Sequence, residues 1–128
     1  MALWSAVFPN DPLWNEPAEF IRRKRRFQPD LFWVAQEGDR IIGTFVAGYD
    51  GVRGWIYHLA VEPSKRRKGV ARLLMEMAEV RLEALGCPKI NLQVRTNNNS
   101  VGDFYKSLGY KTEDRVQMGK PLGDYSAA

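Results

Sequence analysis

The feature that most constrains the fold is a long amphipathic helix between two strand-like apolar segments. Apolar side chains recur at helical spacing after Gly69, at Val70, Leu73, Leu74, Met77, Ala78, Leu82 and Leu85. This spacing predicts one buried stripe, and Gly86 followed by Pro88 predicts the end of the helix. Residues 55–61 precede the helix and residues 89–95 follow it, each with strand character. Such a strand–helix–strand unit predicts a right-handed crossover between two parallel strands.

Further elements are predicted on both sides of this unit. Before it, a helix is predicted from Pro17 to about Phe27, capped by Asn15 or Glu16, followed by strands at 31–36 and 41–49. After it, a short helix is predicted to open with a capping box at Ser100 and Asp103, and one or two strands are predicted within 110–122. Asp50 and Gly51 predict a hairpin turn that extends to Gly54. The order predicts an α/β or α+β sandwich, with a mixed, mostly antiparallel sheet flanked by helices. A ligand crevice is expected at the carboxyl ends of the parallel strands.

Composition narrows the class of protein. The chain has 128 residues, and we predict one domain over residues 1–128. Its net charge is 19 − 15 = +4, which favours acidic ligands. One Cys and one His exclude an internal disulfide and a metal site rich in Cys or His, and suit a reducing cytoplasm. Neither a membrane span nor a signal-peptide core is apparent.

Residues 61–71 join the third predicted strand to the long helix through a basic loop that contains one glycine. A helix N-terminus offers free amides and the positive end of a dipole, and Arg66, Arg67 and Lys68 add full charges. The pattern therefore predicts a site for a phosphate-bearing ligand, although a solvated basic loop is the alternative. The Walker and Rossmann glycine patterns are absent. Ser-His-Asp chemistry would need His58, which lies in mid-strand.

Three motifs in order resemble the GNAT superfamily of acetyl-CoA-dependent N-acetyltransferases. Residues 66–71 match its pyrophosphate motif, [Q/R]-x-x-G-x-[G/A]. Residues 58–63 look like its fourth strand and the following turn. Asn98 followed by Phe104-Tyr105 and Leu108-Gly109-Tyr110 looks like its asparagine and tyrosine helix. The resemblance covers about residues 31–122 and implies a parallel strand pair that splays apart to admit coenzyme A, with no metal.

The resemblance also implies a set of binding residues. In such a site the loop amides hold the pyrophosphate, and Gly69 allows close approach because it has no Cβ. The pantetheine arm pairs with the third strand like an added strand, and Asn98 bonds the arm or orders the loop. The implied acetyl-CoA ligands are Leu59, Val61, Arg66, Arg67, Lys68, Gly69, Val70, Ala71, Arg72, Asn98 and Tyr105. For Asn98, an ordinary loop residue is an equal alternative.

Tyr105 is the predicted general acid. A thiol has a pKa of about 8.5 and tyrosine about 10, so a protonated phenol can donate to the departing sulfur at neutral pH. The backbone amide of Leu59 or Val61 would polarise the thioester carbonyl. The competing interpretation makes Tyr105 only a core aromatic residue of an amphipathic helix.

The general base stays unassigned. Family members often have a glutamate at positions that correspond here to Trp55 and Gln93, and neither side chain can act as a base. Tyr57 shares a face with Trp55 and could order a water, whereas His58 is expected to point the other way unless a bulge intervenes. An acceptor of low pKa, such as an α-amino group, would need a base less.

Two further features concern partners. Residues 2–8 resemble the tail of the family's first helix, so its first strand is expected to be missing, and a bare sheet edge could pair two chains as a homodimer. Residues 22–26 are all basic, and an exposed helix face is the favoured interpretation. Because the second helix borders the acceptor groove in GNAT folds, an acidic amine acceptor or an acidic partner protein is a further hypothesis. The alternatives to an enzyme are a non-catalytic acyl-CoA sensor and, less in keeping with the sequence, a basic nucleic-acid-binding module.

Overall fold

The computed structural model describes residues 2–7, 15–66, 68–94 and 99–126, which fall into two compact units, Met1–Gln93 and Val94–Ala128. The first unit contains helices α1 (Ala2–Val7), α2 (Pro17–Lys24) and α3 (Val70–Ala84) and strands β1 (Phe32–Glu37), β2 (Arg40–Tyr49), β3 (Gly54–Val61) and β4 (Ile90–Leu92). The second contains helix α4 (Asn99–Ser107) and a 3-10 turn at Gly123–Tyr125.

The sheet of the first unit has the predicted mixed topology. Its strand order is β1-β2-β3-β4, with β1, β2 and β3 antiparallel and β3 parallel to β4. Asp50 closes the β2–β3 turn, because its carboxylate accepts hydrogen bonds from the amides of Val52 and Arg53. Among the described residues, β1 has β2 as its only strand neighbour. The strand–helix–strand unit predicted from the long helix is therefore confirmed as a parallel pair.

Helix α2 begins as predicted and ends three residues early. The carboxylate of Glu16 accepts hydrogen bonds from the amides of Ala18 and Glu19, and these bonds lower the pKa of Glu16. The helix ends at Lys24 rather than Phe27, and side chains at and beyond its end bond the part of β2 that extends past β1. Lys24 donates to the carbonyl of Ala47. The amide of Gln28 both donates to the carbonyl of Tyr49 and accepts from its N–H, at 2.7 and 2.8 Å.

One face of the sheet is covered by α1 and α2. Its core consists of Leu3, Trp4, Val46 and Ala60, with Phe20 and Phe32 packed against them. Trp4 contacts the Phe20 ring edge-on at 5.1 Å and stacks on Phe32 at 5.8 Å. These apolar contacts attach both helices to β2 and β3.

Helix α3 covers the opposite face, and its buried stripe differs from the predicted one. Leu74, Ala78 and Leu82 are buried as expected, and so is Met75, which the prediction omitted. Leu73 and Leu85 were predicted to be buried and are 58% and 52% exposed. The stripe follows a line of residues four apart, which turns Leu73 outward. Gly43 makes this packing possible, because a Cβ there would lie 3.1 Å from the side chain of Leu74.

Three predictions after α3 are wrong. Strand β4 ends at Leu92, so Gln93 and Val94 lie outside it, and Arg95 lies outside the described residues. Helix α4 begins at Asn99, so Ser100 lies within the helix and not at the predicted position ahead of it. Residues 110–122 contain no strand, and Val116 and Met118 are each 90% exposed. Alternating hydrophobicity produces a strand only where the backbone pairs with a neighbour, and no such ladder forms for this segment within the described residues.

Candidate functional site

A bulge interrupts the ladder between β2 and β3. Thr44 pairs with Ala60 and Val46 pairs with Tyr57, so both His58 and Leu59 lie opposite Phe45. His58 has a φ of 45°, which is uncommon for a residue other than glycine and costs about 1–3 kcal/mol. The bulge corrects the expectation for His58, whose ring packs on the α1–α2 side against Trp4 at 4.6 Å and Phe20 at 4.5 Å. His58 is thus a packed strand residue.

Thr44 holds this bulge and was missed by the sequence reasoning. Its hydroxyl accepts a hydrogen bond from Trp4 Nε1 at 2.9 Å and lies 3.1 Å from the carbonyl of His58, to which it donates. Thr44 is completely buried. The available signal was a single hydroxyl in the apolar segment 41–47, since a buried polar group must find a partner.

Beyond the bulge, β3 has an open edge. The amide of Glu62 donates to Ile42 of β2, so by alternation the amides of Leu59 and Val61 face away from β2. On that side β4 pairs with β3 only as far as Ile56, opposite Leu92. Within the described residues, the ladder of the parallel pair therefore stops three residues before Leu59, which agrees with the predicted splay.

The loop after β3 leads to the N-terminus of α3. Pro63–Lys65 form a 3-10 turn, and Gly69 caps α3 with a φ of 82°. Apart from the neighbours of Gly69 in the chain, no described residue has an atom within 4 Å of the position that a Cβ on Gly69 would occupy. The amide of Leu73 donates to Gly69, so the amides of Val70, Ala71 and Arg72 belong to the helix turn that has no intrahelical acceptors. The left-handed glycine and the open space suit an anion at these amides.

The charges around this loop divide into paired and exposed cations. Lys65 Nζ lies 2.6 Å from Glu37 Oε1, and this hydrogen bond lowers the pKa of Glu37. Arg40 pairs with Glu62. The side chains of Arg66, Lys68 and Arg72 are exposed, and Arg66 Nε donates to the carbonyl of Val61 at 3.3 Å, at the end of the open edge.

The first unit thus brings together most of the predicted coenzyme A ligands. Val61 is buried, whereas Leu59, Val70 and Ala71 are partly buried. Arg67 and Asn98 lie outside the described residues.

Tyr105 belongs to the second unit, in α4. Its side chain is buried, with its ring 5.3 Å from Phe104 and 5.9 Å from Tyr110. Burial raises the pKa of Tyr105 to about 12. The phenol therefore keeps its proton at neutral pH, as a proton donor must.

The two positions at which a base was sought contain no carboxylate. Trp55 pairs with Gly48 in the sheet, and Gln93 is exposed beyond the end of β4. Burial, and secondarily the charge of Asp50, raises the pKa of Tyr57. The Tyr57 phenol is therefore protonated at neutral pH and cannot accept a full proton from an amine, although its oxygen can accept a hydrogen bond.

Two classes of feature are absent from the described part of the chain. There, no three or more His, Cys, Asp or Glu side chains are grouped so that they could hold a metal ion. The same residues include no helix of the length and apolar character needed to cross a bilayer.

Known proteins resemble the chain in sequence and in fold. The model of the Acetyltransferase (GNAT) family matches residues 1–110. An acetyltransferase of Yersinia pestis (strain Pestoides F) is 43% identical over 109 residues, which are 85% of this chain and 77% of that protein. One from Pectobacterium atrosepticum is 45% identical with the same coverage.

A solved structure gives independent support for the fold. AAC(6')-Iy, in complex with the bisubstrate analogue CoA-S-monomethyl-acetylneamine, superposes with a TM-score of 0.74. The match covers 95% of this chain and 88% of that chain at 20% sequence identity. With the family match and the acetyltransferase relatives, it leads to one conclusion: the chain belongs to the GNAT family and is an N-acetyltransferase.

Proposed function

We propose that this N-acetyltransferase transfers the acetyl group of acetyl-CoA directly to a primary amine. The observation that carries the proposal is the continuity of two binding surfaces in the first unit. The open edge of β3 at Leu59 and Val61 leads, within one short loop, to the N-terminus of α3 and its left-handed Gly69. Coenzyme A needs both surfaces, because its pantetheine arm carries amides and its nucleotide carries a pyrophosphate.

In this proposal the pyrophosphate binds at the start of α3. The amides of Gly69, Val70, Ala71 and Arg72 donate to its oxygens, and Lys68 and Arg72 balance its charge. Arg66, bonded to the end of β3, lies where the pantetheine and phosphate surfaces meet. Arg67 and Asn98 complete the set by resemblance to the family motifs. A related fold that holds a coenzyme A bisubstrate analogue supports coenzyme A as the ligand.

The proposed chemistry is a direct aminolysis of the thioester. The amine nitrogen attacks the acetyl carbon, the carbon–sulfur bond breaks, and the products are an N-acetyl amide and free coenzyme A. An amide of Leu59 or Val61 stabilises the charge that develops on the carbonyl oxygen. Tyr105 donates its proton to the leaving sulfur, the amine releases one proton to solvent, and the Tyr105 phenolate takes one proton back from solvent, so that charge and protons balance over the cycle. The role of Tyr105 rests on the family motif and on its retained proton.

The acceptor is proposed to be an amine of low pKa that also carries negative charge. Neither Trp55 nor Gln93 offers a carboxylate that could remove a proton from the amine, so the acceptor must be neutral when it binds. At pH 7 a lysine amine is neutral in only about one molecule in 2,500, against about one in six for an α-amino group of pKa about 7.7. Arg22, Arg25 and Arg26 at the end of α2 are exposed and favour acidic acceptors. The protein is further proposed to be cytoplasmic and to act as one domain.

Two experiments test this function. Acetyl-CoA is expected to raise the melting temperature, and thiol release is expected with an acidic dipeptide that has a free α-amino group. Spermidine and an aminoglycoside serve as polycationic comparisons that should react more slowly. Binding without turnover on any amine would favour the sensor, and binding of DNA with a steep salt dependence would favour the nucleic-acid module. Neither alternative gains support from the acetyltransferase relatives.

Replacement of Arg66 by alanine is expected to weaken acetyl-CoA binding about 10-fold, since a hydrogen bond to a charged group contributes about 1.5–3 kcal/mol. Isothermal titration calorimetry measures the Kd directly. Arg53→Ala is the matched control, because it removes the same charge from the β2–β3 turn, at the other end of β3 from Val61. An equal Kd in Arg66→Ala and Arg53→Ala would remove Arg66 from the binding site.

A further inference from the structure

Trp4 and Thr44 have no role in the proposed chemistry, but they contact the bulge in β3 next to Leu59 and Val61. Trp4 comes from α1 and Thr44 from β2, and a chain of two hydrogen bonds runs from Trp4 Nε1 through the Thr44 hydroxyl to the carbonyl of His58. Thr44 and Trp4 are 0% and 2% exposed, so the bond between them is shielded from bulk water, and the bond from Thr44 to His58 is partly buried. This pair of hydrogen bonds ends at His58, the one residue of β3 that has a positive φ.

The bulge decides which amides of β3 face the open edge. An inserted residue shifts the alternation of the strand by one, so 59–61 present their amides in the opposite phase to 54–57. With the bulge in place, the amides of Leu59 and Val61 face the side that β4 leaves unpaired. If the strand lost the bulge, these amides would change sides and the pantetheine arm would lose its partners.

Left-handed backbone persists at a residue other than glycine only where its surroundings hold it. At His58 those surroundings are the Trp4 and Phe20 rings on its imidazole and the Thr44 hydroxyl on its carbonyl. The two rings hold the His58 side chain in place. The Thr44 hydroxyl donates a hydrogen bond to the His58 carbonyl, in place of the donor that the interrupted ladder no longer provides. Thr44 is therefore the polar component of the support and can be removed without loss of ring packing.

We propose that Trp4 and Thr44 are positioning residues that hold the His58 bulge and thereby aim the Leu59–Val61 edge at the thioester arm of acetyl-CoA. This inference rests on the proposed function, because it assumes that the edge binds the pantetheine arm. It predicts that loss of the Thr44 hydroxyl affects recognition of the arm and leaves recognition of the phosphates intact, because the N-terminus of α3 lies outside the hydrogen-bonded chain.

The test compares two probes on a small set of variants. Acetyl-CoA reports on the whole site, and 3′-phospho-ADP reports on the pyrophosphate cradle alone. Thr44→Val removes the hydroxyl at nearly constant volume, Thr44→Ser keeps it, and Trp4→Phe removes the upstream donor. Leu82→Ala is the control for a general loss of stability, since Leu82 is a buried residue near the far end of α3.

Thr44→Val is expected to raise the Kd of acetyl-CoA about 10-fold and to lower kcat/KM about 10- to 100-fold, with the Kd of 3′-phospho-ADP changed less than about twofold. Thr44→Ser should restore both values to within about threefold. Leu82→Ala should lower the melting temperature without a change in the ratio of the two Kd values. If Thr44→Val does not fold, Trp4→Phe provides the same comparison of probes.

Two results would overturn the inference, and they differ from failure of the proposed function. In one, Thr44→Val and Trp4→Phe bind both probes as the wild type does, with unchanged kcat/KM. In the other, both probes weaken by the same factor, as expected from a loss of folded protein. A wild-type protein that binds neither probe would instead refute coenzyme A as the ligand, and with it the basis of the inference.

Discussion

Replacement of Tyr105 by phenylalanine is expected to lower kcat by about 10- to 1,000-fold, with the Kd of acetyl-CoA nearly unchanged. The change removes the phenol proton that we propose is donated to the leaving sulfur, and it keeps the ring that packs near Phe104 and Tyr110. Steady-state thiol release gives kcat, and calorimetry with acetyl-CoA gives the Kd. An unchanged kcat would make Tyr105 a core aromatic residue only.

Tyr110→Phe is the matched control for this experiment. Tyr110 contacts the Tyr105 ring edge-on, so the control makes the same chemical change in the same aromatic cluster. Its kcat is expected to stay within about threefold of wild type, since its hydroxyl has no role in the proposed chemistry. Equal losses in the two variants would point to altered packing of α4 in place of lost proton transfer.

The pH dependence of Tyr105 has a definite sign. Its folded pKa is about 12, above the unfolded value of about 10, so its contribution to stability is complete below pH 10 and is lost as the pH rises through 12. The phenol should therefore remain a donor across the whole range in which the protein is folded. A basic limb in the kcat profile that persists in Tyr105→Phe must come from another group.

Replacement of Trp4 by alanine is expected to lower the free energy of unfolding by about 3–5 kcal/mol, the usual cost of removing a buried tryptophan. Trp4 contacts Phe20, Phe32 and His58 and donates to Thr44. Its loss therefore leaves a cavity between α1, α2 and the sheet, and the Thr44 hydroxyl loses the hydrogen bond that it accepts from Trp4. Urea unfolding followed by circular dichroism measures the change.

Trp33→Ala is the control for the loss of an indole. Trp33 stacks on Phe45 with Arg81 above its ring, but it lies on β1 and is only partly buried. We expect its replacement to cost about 1–2 kcal/mol, less than the loss in Trp4→Ala. A loss below about 1 kcal/mol for Trp4→Ala would mean that α1 contributes little to the stability of this fold.

Local patterns predicted the elements of the first unit well. Helical spacing after Gly69 predicted α3, Pro17 and Glu16 predicted the start of α2, and Asp50 predicted the β2–β3 turn. Each of these signals is a short-range property of the backbone, namely a period, a cap or a turn. The prediction of strands within residues 110–122 was wrong because a strand depends on a partner that is distant in sequence, and alternating hydrophobicity alone does not supply that partner.

The candidate site likewise has one part that local sequence patterns predict and one part that depends on strand pairing. The proposed anion site in the loop was predictable from the sequence, because a glycine and several cations at a helix N-terminus act through local geometry. The bulge at His58 does not, since a bulge is a mismatch in register between two strands. For that reason the face of His58 could be predicted only on the condition that no bulge intervenes, and Thr44 was overlooked.

By itself, then, the sequence determined the strand–helix–strand unit, the glycine loop proposed to bind phosphate and the resemblance to acetyltransferases, because each depends on residue types at fixed spacing. Only the tertiary structure decided that Leu73 and Leu85 face outward, that a bulge interrupts β3 at His58, and that burial raises the pKa of Tyr105 to about 12. Those features arise where segments far apart in the chain meet. Packing, strand register and desolvation are set by these contacts, so they cannot be derived from local sequence patterns.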